Sequence, residues 1–159
     1  MPAWLHTHMP LWELLLRLLL ATLFGALVGW DRQARGQPAG LRTHMMVALG
    51  SAGFAVIAME FLAQARESGV GLGEPLHIIA AVVGGVGFLG AGAIMQTGGQ
   101  IKGLTTAAGL WVVAGVGTAA GSGMYLVAAL LTIFAAATHS LVRRLEASYP
   151  AKSDRKESN

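Results

Sequence analysis

Five apolar runs of near-membrane length limit what this chain can fold into. They occupy residues 11–30, 41–62, 76–95, 103–121 and 124–142. A helix needs about 20 apolar residues to cross the hydrocarbon of a bilayer, and each run comes close to that. The expected architecture is all-α, a polytopic membrane protein forming one compact bundle of about five transmembrane helices. Length agrees, since 159 residues fit one domain. The transmembrane domain is expected over residues 1–142. The remainder, 143–159, reads as a basic cytoplasmic tail with no room for a second domain.

The polar breaks carry most of the charge in a chain that is only 12% charged. The stretch from Asp31 to His44 holds Arg32, Arg35 and Arg42, with Gly36, Pro38 and Gly40 to turn the chain. Lys102 follows the third run, and Arg143, Arg144, Lys152, Arg155 and Lys156 follow the fifth. Alternating sides across five spans places all of these on one face, opposed only by Arg66. Positive residues stay inside, so the N-terminus is expected outside and the C-terminus inside. The N-terminus lacks Lys or Arg before the first run, unlike a secretory leader. The first helix is therefore expected to be retained.

Glu13 and Arg17 lie four apart, on one helical face, where they can pair. Their place near a helix end suggests an arginine that snorkels to the interface. Glycine is abundant, at 22 residues. Gly25 and Gly29, and Gly117 and Gly121, form small-x-x-x-small steps that permit close helix approach. Gly50 belongs to a small-residue middle in the second run. Gly84, Gly87, Gly90 and Gly92 in the third run fall on several faces, so that span is expected at the centre of the bundle. Gly85, Gly87 and Gly90 also spell G-x-G-x-x-G. They lie inside an apolar run rather than between a strand and a helix, so no dinucleotide fold is indicated.

On the expected cytoplasmic side, Arg42, His44 and Lys102 meet the start of span four, where Thr105 or Thr106 can cap the helix. Such a place suits an anion: a lipid headgroup, a phosphate or a protein carboxylate. Topology charge and helix caps are the ordinary alternative. Asp31 can pair with Arg32, Arg35 or Arg42. Arg42-Thr43-His44 opens span two at the membrane surface, His77 lies early in span three, and His139, late in span five, is read as facing headgroups. Magnesium wants several oxygen ligands, and the carboxylates in or bordering spans are only Glu13, Asp31, Glu60 and Glu74. No metal site, cofactor or catalytic constellation is expected, and no basic groove-reading face suggests a nucleic acid. Cysteine is absent.

The segments LVGWDRQARGQPAGLRTHMMVALG, VVGGVGFLGAGAIM and GLTTAAGLWVVAGVGTAAGSGMY occur in that order. Together they resemble the MgtC/SapB family of bacterial membrane proteins. The matching positions include Gly25, Gly29, Arg32, Gly40, Arg42, Thr43, Gly50, Gly87, Gly90, Gly92, Thr105 and Thr106. The resemblance implies an inner-membrane protein of about five spans, linked to growth under magnesium limitation and to survival of pathogens inside host cells. It implies a modulator more than a carrier, with the F-type ATP synthase as a partner, alongside lipid and self-association. A magnesium or other cation transporter, working as an oligomer, is the alternative. Two positions depart from the family: Asp31 stands where Glu is usual, and His77 where an Arg is usual. A C-terminal module resembling ACT domains, frequent in the family, is not expected here.

Cysteine placed at Arg35 and in the tail should label from the same, cytoplasmic face in intact cells and inverted vesicles. Labelling from opposite faces would overturn this reading of the charges.

Overall fold

A computed structural model describes residues 7–67, 76–97 and 100–148. The expectations that fall on Glu74, Gly98, Gly99 and tail residues 149–159 lie outside that description. Five helices are present: α1 (Leu11–Ala34), α2 (Leu41–Glu67), α3 (Leu76–Ala93), α4 (Leu104–Gly121) and α5 (Tyr125–Ser148). Four of them, α1, α2, α4 and α5 through Val142, are long and apolar enough to cross a membrane, and α3 contributes a shorter apolar stretch over Ile79–Ala93. The 96–102 turn is a small antiparallel hairpin, with β1 (Met95–Thr97) paired to β2 (Gln100–Lys102).

The helices run past their apolar segments until the sequence forbids it. Helix α1 swallows the first part of the polar hinge, because Asp31 and Arg35 sit four apart and pair along the helix. It stops where Gly36 takes φ 63°. There Gly36 N–H donates to the Gln33 carbonyl and Gln37 N–H to the Arg32 carbonyl, a Schellman cap that needs a left-handed residue. Helix α4 ends the same way at Gly123, φ 77°, with Gly123 N–H on the Ala120 carbonyl and Met124 N–H on that of Ala119.

That second cap leaves the Gly121 carbonyl free, and Arg17 of α1 takes it. The Arg17 guanidinium donates to Gly121 O at 2.7 Å and to Glu13 at 2.5 Å. It is 8% exposed. Arg17 therefore does not snorkel, as its position suggested. It closes the C-terminal end of α4, where a cation also meets the negative end of the helix dipole.

The centre of the bundle is α4 rather than α3. Of its span, 56% is buried, against 22% in α1, 28% in α2 and 11% in α5. Its apolar and small residues are spread around the whole helix, as a surrounded helix requires. The close approaches converge on one ridge of α2, made by His44, Ala48 and Ala52. A Cβ at Gly25 would lie 2.8 Å from the Ala48 Cβ, and one at Gly29 would lie 2.9 Å from the His44 Cβ. From the other side, Cβ atoms at Gly117 and Gly121 would strike the backbone of Ala48 and Ala52. Two small-residue steps, on α1 and α4, thus grip the same stripe of α2.

The α3 glycines do something else. A Cβ at Gly84, Gly87 or Gly92, and likewise at Gly50 on α2, would meet nothing within 4 Å among the described residues outside its own helix. A Cβ at Gly90 would lie in ordinary contact with the Ala107 Cβ of α4, at 3.6 Å. Helix α3 therefore leans on α4 along one side, with Val82 and Val86 packed on Ala114, and faces outward on the others. Phe88 is 81% exposed. Several bare faces did not mean several neighbours within the chain.

Gly117→Val should lower the thermal midpoint of detergent-solubilised protein and its accumulation in membranes. Overpacking against backbone costs on the order of 1–3 kcal/mol or more. Gly84→Ala, which meets open space, should leave both unchanged or slightly raised. Thermal unfolding of the two variants side by side checks the contrast.

Candidate functional site

The polar side chains gather at the two ends of the bundle. One end holds Glu13, Arg17 and Glu60, where Glu60 accepts the backbone N–H groups of His8 and Met9 at 2.8 and 2.9 Å. The other, here the hairpin end, holds Asp31, Arg32, Arg35, His44, Lys102, Thr106 and His139.

Arg32 lies in the last turn of α1 and is 6% exposed. Its Nη2 donates to the Thr106 hydroxyl at 2.6 Å and, less closely, to the Gln37 amide oxygen at 3.4 Å. Its Nε has no partner. Thr106 is thus no cap for α4. The N-cap is Gly103, φ 91°, which offers no side-chain bond, and a Cβ there would collide with the Ala93 carbonyl. Asp31 accepts from Arg35 along α1 and leaves its Oδ2 unpartnered. The expected choice among three arginines falls to the one on the same helical face.

His44 is fully buried. Its Nδ1 lies 2.9 Å from the Gly40 carbonyl. A carbonyl only accepts, so Nδ1 carries the proton. Nε2 is left facing inward without a partner. Across from it stands Gly109 of α4. A Cβ at Gly109 would lie 3.5 Å from His44 Nε2 and 4.0 Å from His139 Nε2. Two imidazole nitrogens therefore look into the gap that a missing side chain leaves.

A cavity of about 530 Å³ opens beside this gap. Arg32, Arg35, Thr105, Gly109 and His139 line its polar part, and Leu131 and Phe134 are among its apolar walls. His139 is half-buried within it and does not simply face headgroups. A larger groove, about 810 Å³, lies between α2 and α3. It is almost wholly apolar, with Met46, Phe54 and Leu89 on its walls and Thr43 and His77 at its edges. Size alone would favour it, but the chemistry is in the smaller cavity.

The structure brings together Arg32, His44, Thr105 and Thr106 from the residues expected to matter. Arg42 and Thr43 open α2 on an exposed face, and Lys102 is exposed on the hairpin. His77 is exposed and, among the described residues, has no carboxylate partner. Gly109 and the pocket role of His139 were not foreseen. A histidine at membrane depth is a usable signal. A glycine facing two histidines 65 and 30 residues away carries none in sequence.

Long apolar helices, glycine-mediated contacts and charge gathered at the bundle ends define a multi-pass α-helical membrane protein. A profile of the MgtC family matches residues 18–148, and the chain belongs to that family. It is 42% identical over 125 residues to the protein MgtC of Brucella abortus strain 2308, covering 79% of this chain and 49% of that one. It is 46% identical over 114 residues to YhiD of Escherichia coli strain K12, named as a proposed magnesium transporter, covering 71% of this chain and 53% of YhiD. SrpB of Synechococcus elongatus is 39% identical over 138 residues, covering 82% of this chain and 75% of SrpB. The chain spans about half the length of YhiD and of the Brucella protein. No solved structure matches it.

Arg32 is buried with no carboxylate bonded to it among the described residues, and an apolar isostere of such a charge often does as well or better. Arg32→Met should therefore keep or raise the thermal midpoint in detergent. Arg17→Met should lower it, through a stability loss of about 2–3 kcal/mol, because it uncaps Gly121 and leaves Glu13 alone. Differential scanning fluorimetry of both variants checks whether the two arginines differ in this way.

Proposed function

We propose that this protein is a regulatory membrane protein that modulates a partner complex, rather than an enzyme or a carrier. The supporting observation is the distribution of polar groups. Glu13, Arg17 and Glu60 lie near one bundle end, and Asp31, Arg32, Arg35 and Lys102 near the other. Between them the core is Ala, Val and Gly, with hydroxyls such as Thr118 and Thr132 bonded to their own helix. An ion path needs polar groups or water along its length, and a single chain offers none in that middle. No group of three His, Cys, Asp or Glu suited to a metal occurs among the described residues.

The charge count argues for a cytoplasmic hairpin end, with the N-terminus outside. The uncovered glycine faces of α2 and α3 favour self-association. Magnesium-limited growth is the setting the family implies, and the F-type ATP synthase is the partner proposed. The second reading is a magnesium or other cation transporter. It is favoured by the name given to YhiD and by the same glycine faces, through which an oligomer could assemble a path.

The two readings separate in reconstituted vesicles. Protein alone in liposomes should pass no magnesium, measured with an entrapped indicator. Inverted membrane vesicles should show altered ATP-driven proton pumping when the protein is present. Magnesium flux in liposomes, with pumping unchanged, would overturn the regulatory reading.

A further inference from the structure

We propose that the cavity at the hairpin end is a binding site for an anionic phospholipid. Its phosphate would sit between Arg32, Arg35 and His139, beside Gly109, and one acyl chain would lie along α5. The inference stands whether the protein regulates or transports.

Three independent features carry it. The first is Arg32, which is 94% buried by its 6% exposure, lines the cavity and has an unpartnered Nε. It also stands beside the first turn of α4, at the positive end of that helix dipole, where a cation is misplaced. An anion between the two would turn a repulsion into two attractions. Arg17 makes the contrast, since it sits at the opposite end of the same helix, where the dipole favours it.

The second feature is the gap at Gly109. Gly109 and His139 both line the cavity, and a Cβ at Gly109 would lie 4.0 Å from His139 Nε2, while His44 Nε2 faces Gly109 from within the core and does not line the cavity. A phosphodiester oxygen accepts a hydrogen bond from an imidazole N–H, which the His139 ring in the cavity wall can supply.

The third feature is the wall. Beyond the polar mouth the cavity is bounded by Leu131, Phe134, Ala135 and Val142 of α5 with Val28 and Val112. A free phosphate has no use for that surface, whereas an acyl chain does. A divalent cation is disfavoured, because the charged side chains lining the cavity are guanidiniums. Asp31 is turned to Arg35 and is not among the lining residues.

The test uses delipidated full-length protein in a nonionic detergent. Phosphatidylglycerol, phosphatidylcholine or inorganic phosphate is added, and native mass spectrometry and thermal shift are read. One retained phosphatidylglycerol per chain, with a raised midpoint and little response to phosphatidylcholine, is expected. Gly109→Ala fits the space in ordinary contact, so it should fold normally yet weaken phosphatidylglycerol binding by roughly tenfold or more. Arg32→Met should abolish the preference. Arg42→Gln, on an exposed face outside the cavity, should leave it intact. Equal retention of both lipids, unchanged binding in a folded Gly109→Ala protein, or stabilisation by inorganic phosphate equal to that by the lipid would each overturn the proposal.

Discussion

The structure depends on how closely α2 approaches its two neighbours. The His44–Ala48–Ala52 ridge is gripped by Gly25 and Gly29 from α1 and by Gly117 and Gly121 from α4. In a membrane, apolar surface gains nothing by leaving lipid, so helices associate through packing and hydrogen bonds. Missing side chains let backbones touch and gather many small dispersion contacts. Any Cβ at Gly117 or Gly121 would meet backbone, which cannot rotate out of the way as a side chain can.

This approach also decides where the polar groups end up. His44 is part of the gripped ridge, and that is why its ring is buried and its Nε2 points toward Gly109. Because α1 and α4 share α2, their ends come close enough for Arg32 to reach Thr106 and for Arg17 to reach Gly121. The two arginines look alike in sequence, and their surroundings separate them. Arg17 completes a helix cap with a carboxylate beside it. Arg32 sits against the wrong end of the same helix with no carboxylate bonded to it among the described residues, beside a cavity.

The helical membrane fold was legible because apolar length and polar breaks act locally. The charged hinge was legible for the same reason, although α1 consumed Asp31 through Ala34 once the Asp31–Arg35 pair supported another turn. The role of each glycine was not legible. Gly84 and Gly117 are equally bare, and only the partner surface distinguishes them: Ala48 faces Gly117, while nothing among the described residues would meet a Cβ at Gly84. Arg17 was misread because Glu13 is four residues away while the Gly121 carbonyl is 104 away. The cavity could not be read at all, since Arg32, Gly109 and His139 come from three helices and no spacing joins them.

The distance between the Ala48 carbonyl carbon and the Gly117 α-carbon tests the packing most directly. Solid-state NMR on segmentally labelled protein in bilayers can measure it. A separation of about 4.5 Å or less is expected from backbone contact plus one carbon–carbon bond. A separation too long to register, as between helices held about 8–10 Å apart by intervening side chains, would contradict the account.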